Sequence, residues 1–249
     1  MASGGDTGRL TAREFAERVR QEMVPLSNTS AYFAALPLGE EEIRGYLEDP
    51  TAALPPAVQS LLGGVFILLV PFLEAGAGPG EEWVSFEKPV AGQEAWGTQF
   101  ISQGLAMLVF GVREQQPADY HYVFYRAIAT LVAGGVSEEA RERFAGLLRE
   151  ELRNSVAGEV DLAGWELKQT VRGRQKKAVR DSKLFRDYAH QAFVDTLTLY
   201  LHGICCDIDV EAGPRMLPSR HLRKRLDVFY ELFPPPQGYA IFPEQVSSG

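Results

Sequence analysis

Apolar positions recur at helical spacing along most of this chain. In TAREFAERVRQEM, Phe15, Val19 and Met23 fall four residues apart. Thr11 with Glu14 three residues on is the pairing of a capping box, in which each side chain satisfies a backbone N–H of the first turn. Pro25 ends this helix. GEEEIRGYL, Gly39 to Leu47, reads as a second, short helix with three glutamates in its first turn, where the helix dipole favours anions, and Asp49-Pro50 stops it. Pro55-Pro56 can open a helix holding the apolar run Leu61 to Leu73, which Pro71 bends or breaks.

TQFISQGLAMLVFGV, residues 98 to 112, reads as an apolar helix. YHYVFYRAIATLVAGG is apolar on nearly all sides and belongs at the centre of a core, closed by Gly134-Gly135. The clearest helix is SEEARERFAGLLREELRNSV, whose Phe144, Leu147, Leu148 and Leu152 form a stripe amid charge. Lys183 to Cys205 and Ser219 to Phe233 give two more. GEVDLAGWELKQTVRGRQ supports a hairpin as easily as a loop. The Gly-rich AGAGPGEEW, residues 75 to 83, is linker-like, and the stretch from there to Gly97 alternates weakly, like a short strand or extended loop.

This pattern predicts an all-α, predominantly helical protein: a multi-helix globular bundle with an irregular or short β insertion near 75–97. It predicts one domain over 1–249, with a soft boundary at 75–97 between an acidic N-terminal part and a C-terminal part. The expected core is Phe66, Leu69, Leu105, Leu108, Phe110, Phe124, Ile128, Leu131, Phe144, Leu148, Phe193, Leu197 and Tyr200.

With 45% hydrophobic and 23% charged residues, composition excludes disorder as the default state. The longest apolar run has 13 residues with two glycines and a proline, against the about 20 that a membrane-spanning helix needs, so no membrane is expected. MASGGDTGR lacks the pattern of a leader, and the two cysteines, Cys205 and Cys206, are neighbours that cannot close an ordinary disulfide with each other. A reducing, cytoplasmic location fits.

Charge is uneven. Residues 1–120 hold 7 Lys+Arg against 16 Asp+Glu, and residues 121–249 hold 18 against 17, for a net −8. Anion binding is thereby confined to the second half. There RGRQKKAVRDSKLFR places Arg172, Arg174, Lys176, Lys177, Arg180, Lys183 and Arg186 against a single acid, and Arg220, Arg223, Lys224 and Arg225 form a second basic run.

Other chemistry is sparse. The phosphate-loop, dinucleotide, nucleophile-elbow and H-E-x-x-H patterns are absent. Asp187 and His190 share a helical side, as metal ligands three apart do, without a second copy. His202, Cys206 and His221 lack the paired spacing of a zinc site. No metal or cofactor is therefore expected, and an enzyme is not favoured. His121, Arg126 and Thr130 lie in an apolar helix, where a buried arginine needs an anion, so a small-ligand pocket or enzyme site there is a third reading. The leading reading is a non-catalytic interaction or adaptor protein binding an acidic protein partner through 172–186 and 220–225. A nucleic-acid-contacting subunit using the same residues is the alternative. The sequence leaves the oligomeric state and the partner's identity open.

Overall fold

The centre of the apolar run 61–73, Val65–Val70, is a buried strand, and this corrects the all-α expectation. The computed structural model describes residues 9–173, 182–206 and 217–242, and its helices accompany two β-sheets. The described residues gather into two compact units, the first within Met1–Ala52 and Leu62–Ala127, the second within Ala53–Leu61 and Ile128–Gly249.

In the first unit a five-stranded mixed sheet runs in the order β1 (Val24–Pro25), β2 (Ser30–Ala34), β3 (Val65–Val70), β8 (Leu105–Gly111), β7 (Gly97–Ser102). β2, β3 and β8 are parallel, and β1 and β7 join antiparallel at the edges. A three-stranded antiparallel sheet sets β4 (Phe72–Glu74) between β5 (Trp83–Ser85) and β6 (Glu94–Ala95).

Helix α1 (Ala12–Val19) packs Phe15, Ala16 and Val19 against Leu68 and Val70 of β3 and Met107 and Val109 of β8. The alternate residues of β3 and β8 are buried too, and Phe110 meets Tyr120 edge to face at 5.1 Å. Strands covered on both faces lose polar alternation, so VFILLV reads like a buried helix. The capping box of α1 is present: the Glu14 N–H donates to Thr11 Oγ1 (3.2 Å), and the Thr11 N–H to Glu14 Oε2 (2.9 Å).

Residues 98–112, expected to be helical, form the β7–β8 hairpin instead. Its two-residue turn, Gln103-Gly104, takes positive φ at both positions, 50° and 78°, as a type I′ turn requires. Gln103 pays a steric cost there that asparagine largely avoids. Gln103→Asn is expected to stabilise the protein by about 0.5–1 kcal/mol, read as a rise in the urea midpoint with an unchanged slope. A lowered midpoint would contradict this account of the turn.

Three more expectations need correction. Asp49-Pro50 does not stop the helix at Glu40: α2 (Glu40–Ile43) passes through a π turn (Arg44–Glu48) into α3 (Asp49–Ala52). The wider winding relaxes the clash of the Pro50 ring with the carbonyl four residues back. Helix α4 (Pro56–Leu62) takes in only the first two residues of the apolar run, whose remainder holds β3 and the start of β4. Residues 162–173, taken for a hairpin or loop, form a helix, α7 (Leu162–Gly173), after Asp161, whose carboxylate accepts from the Leu162 N–H (2.5 Å).

Helix α5 (Pro117–Gly135) begins in the first unit and ends in the second. The second unit continues with α6 (Glu138–Arg153), α7, α8 (Lys183–Cys206) and α9 (Ser219–Leu232). Ser137 caps α6 by accepting from the Ala140 N–H (3.3 Å). Phe144 of α6, Phe193 of α8 and Phe229 of α9 meet with ring centroids 4.9–5.3 Å apart. Burying each such ring contributes about 1.5–3 kcal/mol. Among the described residues no helix is long and apolar enough to cross a membrane.

Candidate functional site

The second unit carries a groove of about 370 Å³ lined from α6, the start of α8 and Ala133 of α5. Its α6 side repeats every three or four residues: Glu138, Arg141 with Glu142, Ala145, Arg149. Its α8 side does the same: Phe185 with Arg186 and Asp187, Ala189 with His190, Phe193. Alanines 133, 145 and 189 project only methyl groups, which leaves the hollow. Phe144, Phe185 and Phe193 give it an apolar floor.

The rim is positioned by local bonds. Arg141 donates twice to the carbonyl of Val136 (3.1 and 2.7 Å) and lies 3.6 Å from Glu138. Arg149 donates to Glu142 (2.9 Å) while its guanidinium covers the Phe185 ring at 4.8 Å, a cation–π contact. The rim's arginines are balanced in number by Glu138, Glu142 and Asp187. The described residues lining it include no hydroxyl or thiol. The groove can therefore hold an apolar side chain or helix face and fix it with charge.

Deeper in the same unit lies a buried ionic cluster that the sequence reading missed. Arg225 of α9 grips two carboxylates in bidentate fashion: Glu151 of α6 (2.9 and 2.5 Å) and Glu159 of the α6–α7 connection (2.6 and 2.7 Å). Lys168 of α7 donates to the Gly158 carbonyl (2.8 Å) and lies 3.1 Å from Glu159 and 3.7 Å from Glu151. The Tyr188 hydroxyl of α8 donates to Glu159. All these groups are essentially inaccessible to water. Two cations against two anions make the cluster neutral, which is how a charge survives burial.

Burial alone would raise the Glu159 carboxyl, but the charge and hydrogen bonds of Arg225, with Lys168 and Tyr188, hold it down at about 2. Burial, and the negative charge of Glu159, push the Tyr188 hydroxyl well up despite the pull of Arg225. The cluster ties four helices at one point and thereby sets the spacing of α6 and α8 that the groove depends on.

A signal for the cluster was present. Glu151 lies on the apolar stripe of Phe144 and Leu148, Arg225 on that of Leu222 and Phe229, and Lys168 between Gly164 and Val171. A single charge on each of several apolar stripes marks partners that must meet. Asp195, which helical phase alone assigns to the solvent side of α8, is buried as well and accepts from Gln191 (2.8 Å).

The basic residues separate. Arg174, Lys176, Lys177 and Arg180 lie outside the described residues. Arg172 is half-buried at the end of α7, and Lys183 and Arg186 are exposed at the start of α8, Arg186 on the groove. The 220–225 run does not form one basic face: Arg225 is buried, Arg223 pairs with Asp227 (3.1 Å) over the Phe242 ring, and Lys224 lies 3.7 Å from Glu150. Arg220, exposed, donates to His221 (3.2 Å).

Of the third set, His121 is buried with its Nε2 2.6 Å from the Gly45 carbonyl, Arg126 is half-buried in the first unit, and Thr130 belongs to the second. Asp187 and His190 both stand exposed on the groove rim; His202, Cys205 and Cys206 are half-buried, and neither cysteine is in a disulfide. Compared with protein-family models, curated proteins and solved structures, the chain matches none.

Proposed function

We propose that this chain is a non-catalytic interaction protein whose α6–α8 groove, together with the basic 172–186 stretch, receives an acidic amphipathic segment of a partner protein in the cytoplasm. One observation carries the reading: the apolar floor of Phe144, Phe185 and Phe193 is edged by Arg186, the last of seven basic residues in a stretch holding one acid. The groove is nearly neutral by itself. The positive charge that selects the partner thus comes from the adjoining stretch, while apolar burial supplies the affinity.

The test is affinity purification from the native source at low and high salt, with protein and nucleic acid both identified in the eluate. An acidic protein is expected to be retained and then released by salt. Combined Arg174→Glu, Lys177→Glu and Arg180→Glu should weaken its retention at least tenfold, and Ala189→Glu, which fills the groove with charge, should do the same at unchanged helix content. Retention unaffected by both variants would sink the reading. Nucleic acid released by salt in place of protein would replace it with a nucleic-acid-contacting role for the same residues.

A further inference from the structure

The sheet edges of the first unit are unequal. β1 is two residues long and carries Pro25, and β6 is also two residues long. β5 is covered by the chain itself, since the Ala12 N–H donates to the Glu82 carbonyl (2.7 Å) and the Val84 N–H to that of Leu10 (2.9 Å). β7 has six residues, none charged, in regular register with β8.

In a hairpin closed by a two-residue turn, the flanking pair exchanges both hydrogen bonds and every second pair repeats this. Ser102, Phe100 and Thr98 therefore turn their backbone groups toward β8. Gly97, Gln99 and Ile101 turn theirs outward, and among the described residues no hydrogen bond meets them there. Proteins blunt such edges with lysine, proline, a bulge or a cover. β7 carries none of the first three, and its Ile101 is 52% exposed.

Beside the Gly97 end lies a pocket of about 380 Å³ lined by Trp96, Glu114, Gln115, Asp119, Tyr122 and Val123. Trp96 and Tyr122 are exposed aromatics. Glu114 is shared with Lys88 (2.6 Å), whereas Asp119 makes no ion pair among the described residues. Gln115 is more than nine-tenths buried, and its side-chain oxygen accepts no hydrogen bond from the described residues. Aromatic faces, carboxylates and a spare carbonyl oxygen select a cation that donates N–H bonds. The stretches that make up this unit hold 8 Lys+Arg against 16 Asp+Glu, the whole net charge of −8.

The geometry points to β7 and this pocket as one recognition site: an extended segment of a partner protein adds as a sixth strand along β7 and places a lysine or arginine in the pocket lined by Trp96, Tyr122 and Asp119. Backbone pairing with Gly97, Gln99 and Ile101 gives affinity, and the pocket gives the preference for a basic residue. This site is independent of the α6–α8 groove and takes a partner of opposite charge.

The experiment is selection of a random seven-residue peptide library on the full-length protein, followed by fluorescence anisotropy with the selected peptides. Selected peptides are expected to share a lysine or arginine flanked by β-branched residues. Replacing that residue with norleucine, methylating alternate peptide nitrogens, or introducing Trp96→Ala or Asp119→Asn in the protein should each weaken binding about tenfold or more at unchanged circular dichroism. Failure to select any peptide, selection without a basic residue, or binding indifferent to N-methylation would overturn the proposal. So would a concentration-dependent dimer that Ile101→Lys dissociates, since a second copy would then occupy β7.

Discussion

Arg225→Met is expected to destabilise the second unit by about 3–5 kcal/mol, because it leaves Glu151 and Glu159 buried against the single charge of Lys168. On a unit of this size such a loss lowers the thermal midpoint by roughly 10–20 °C. Replacing the whole cluster, Arg225→Met with Glu151→Leu, Glu159→Leu and Lys168→Met, should recover much of the loss, since no uncompensated charge remains. Urea unfolding followed by circular dichroism compares the three proteins. A single-variant loss below about 1 kcal/mol would show that water reaches the site and relieves the charge.

Acid should unfold the protein partly through Glu159. Its carboxyl is held at about 2 in the folded chain against 4.5 for the free group. A carboxyl depressed on folding contributes stability that is complete above the unfolded value and is lost as pH falls through the folded one. The window therefore runs from about pH 5 down to about pH 2, and the contribution lost across it is about 3 kcal/mol. Glu159→Gln is less stable at neutral pH but lacks this dependence. The stability gap between the two proteins, measured by urea unfolding, should narrow by that amount as pH falls from 6 to 2. A gap constant over this range would mean that Glu159 titrates normally and that the cluster is not closed around it.

Both effects arise outside the basic stretches, and the reason is physical. A surface run such as 172–186 is local, so its charge can be counted from the sequence. Glu151, Lys168 and Arg225 are far apart along the chain and acquire meaning only when α6, α7 and α9 meet. The Trp96–Tyr122 pocket is hidden in the same way: its residues come from the approach to β7, the connection between β8 and α5, and the first turns of α5.

The sequence by itself determined those elements whose signals are local. The capping box at Thr11 and Glu14, the Ser137 start of α6, and helices α6, α8 and α9 all follow from spacing and caps within about 25 residues, because a helix closes its hydrogen bonds within one segment. Only the tertiary structure decided the sheet. β3 pairs with β8 some 40 residues later (Val65 with Ala106), and packing on both faces, with α1 on one of them, buries nearly every position of both strands. An apolar run without alternation fits a buried helix and a buried strand equally well. The choice rests on which partners lie alongside it, and those are supplied by distant parts of the chain.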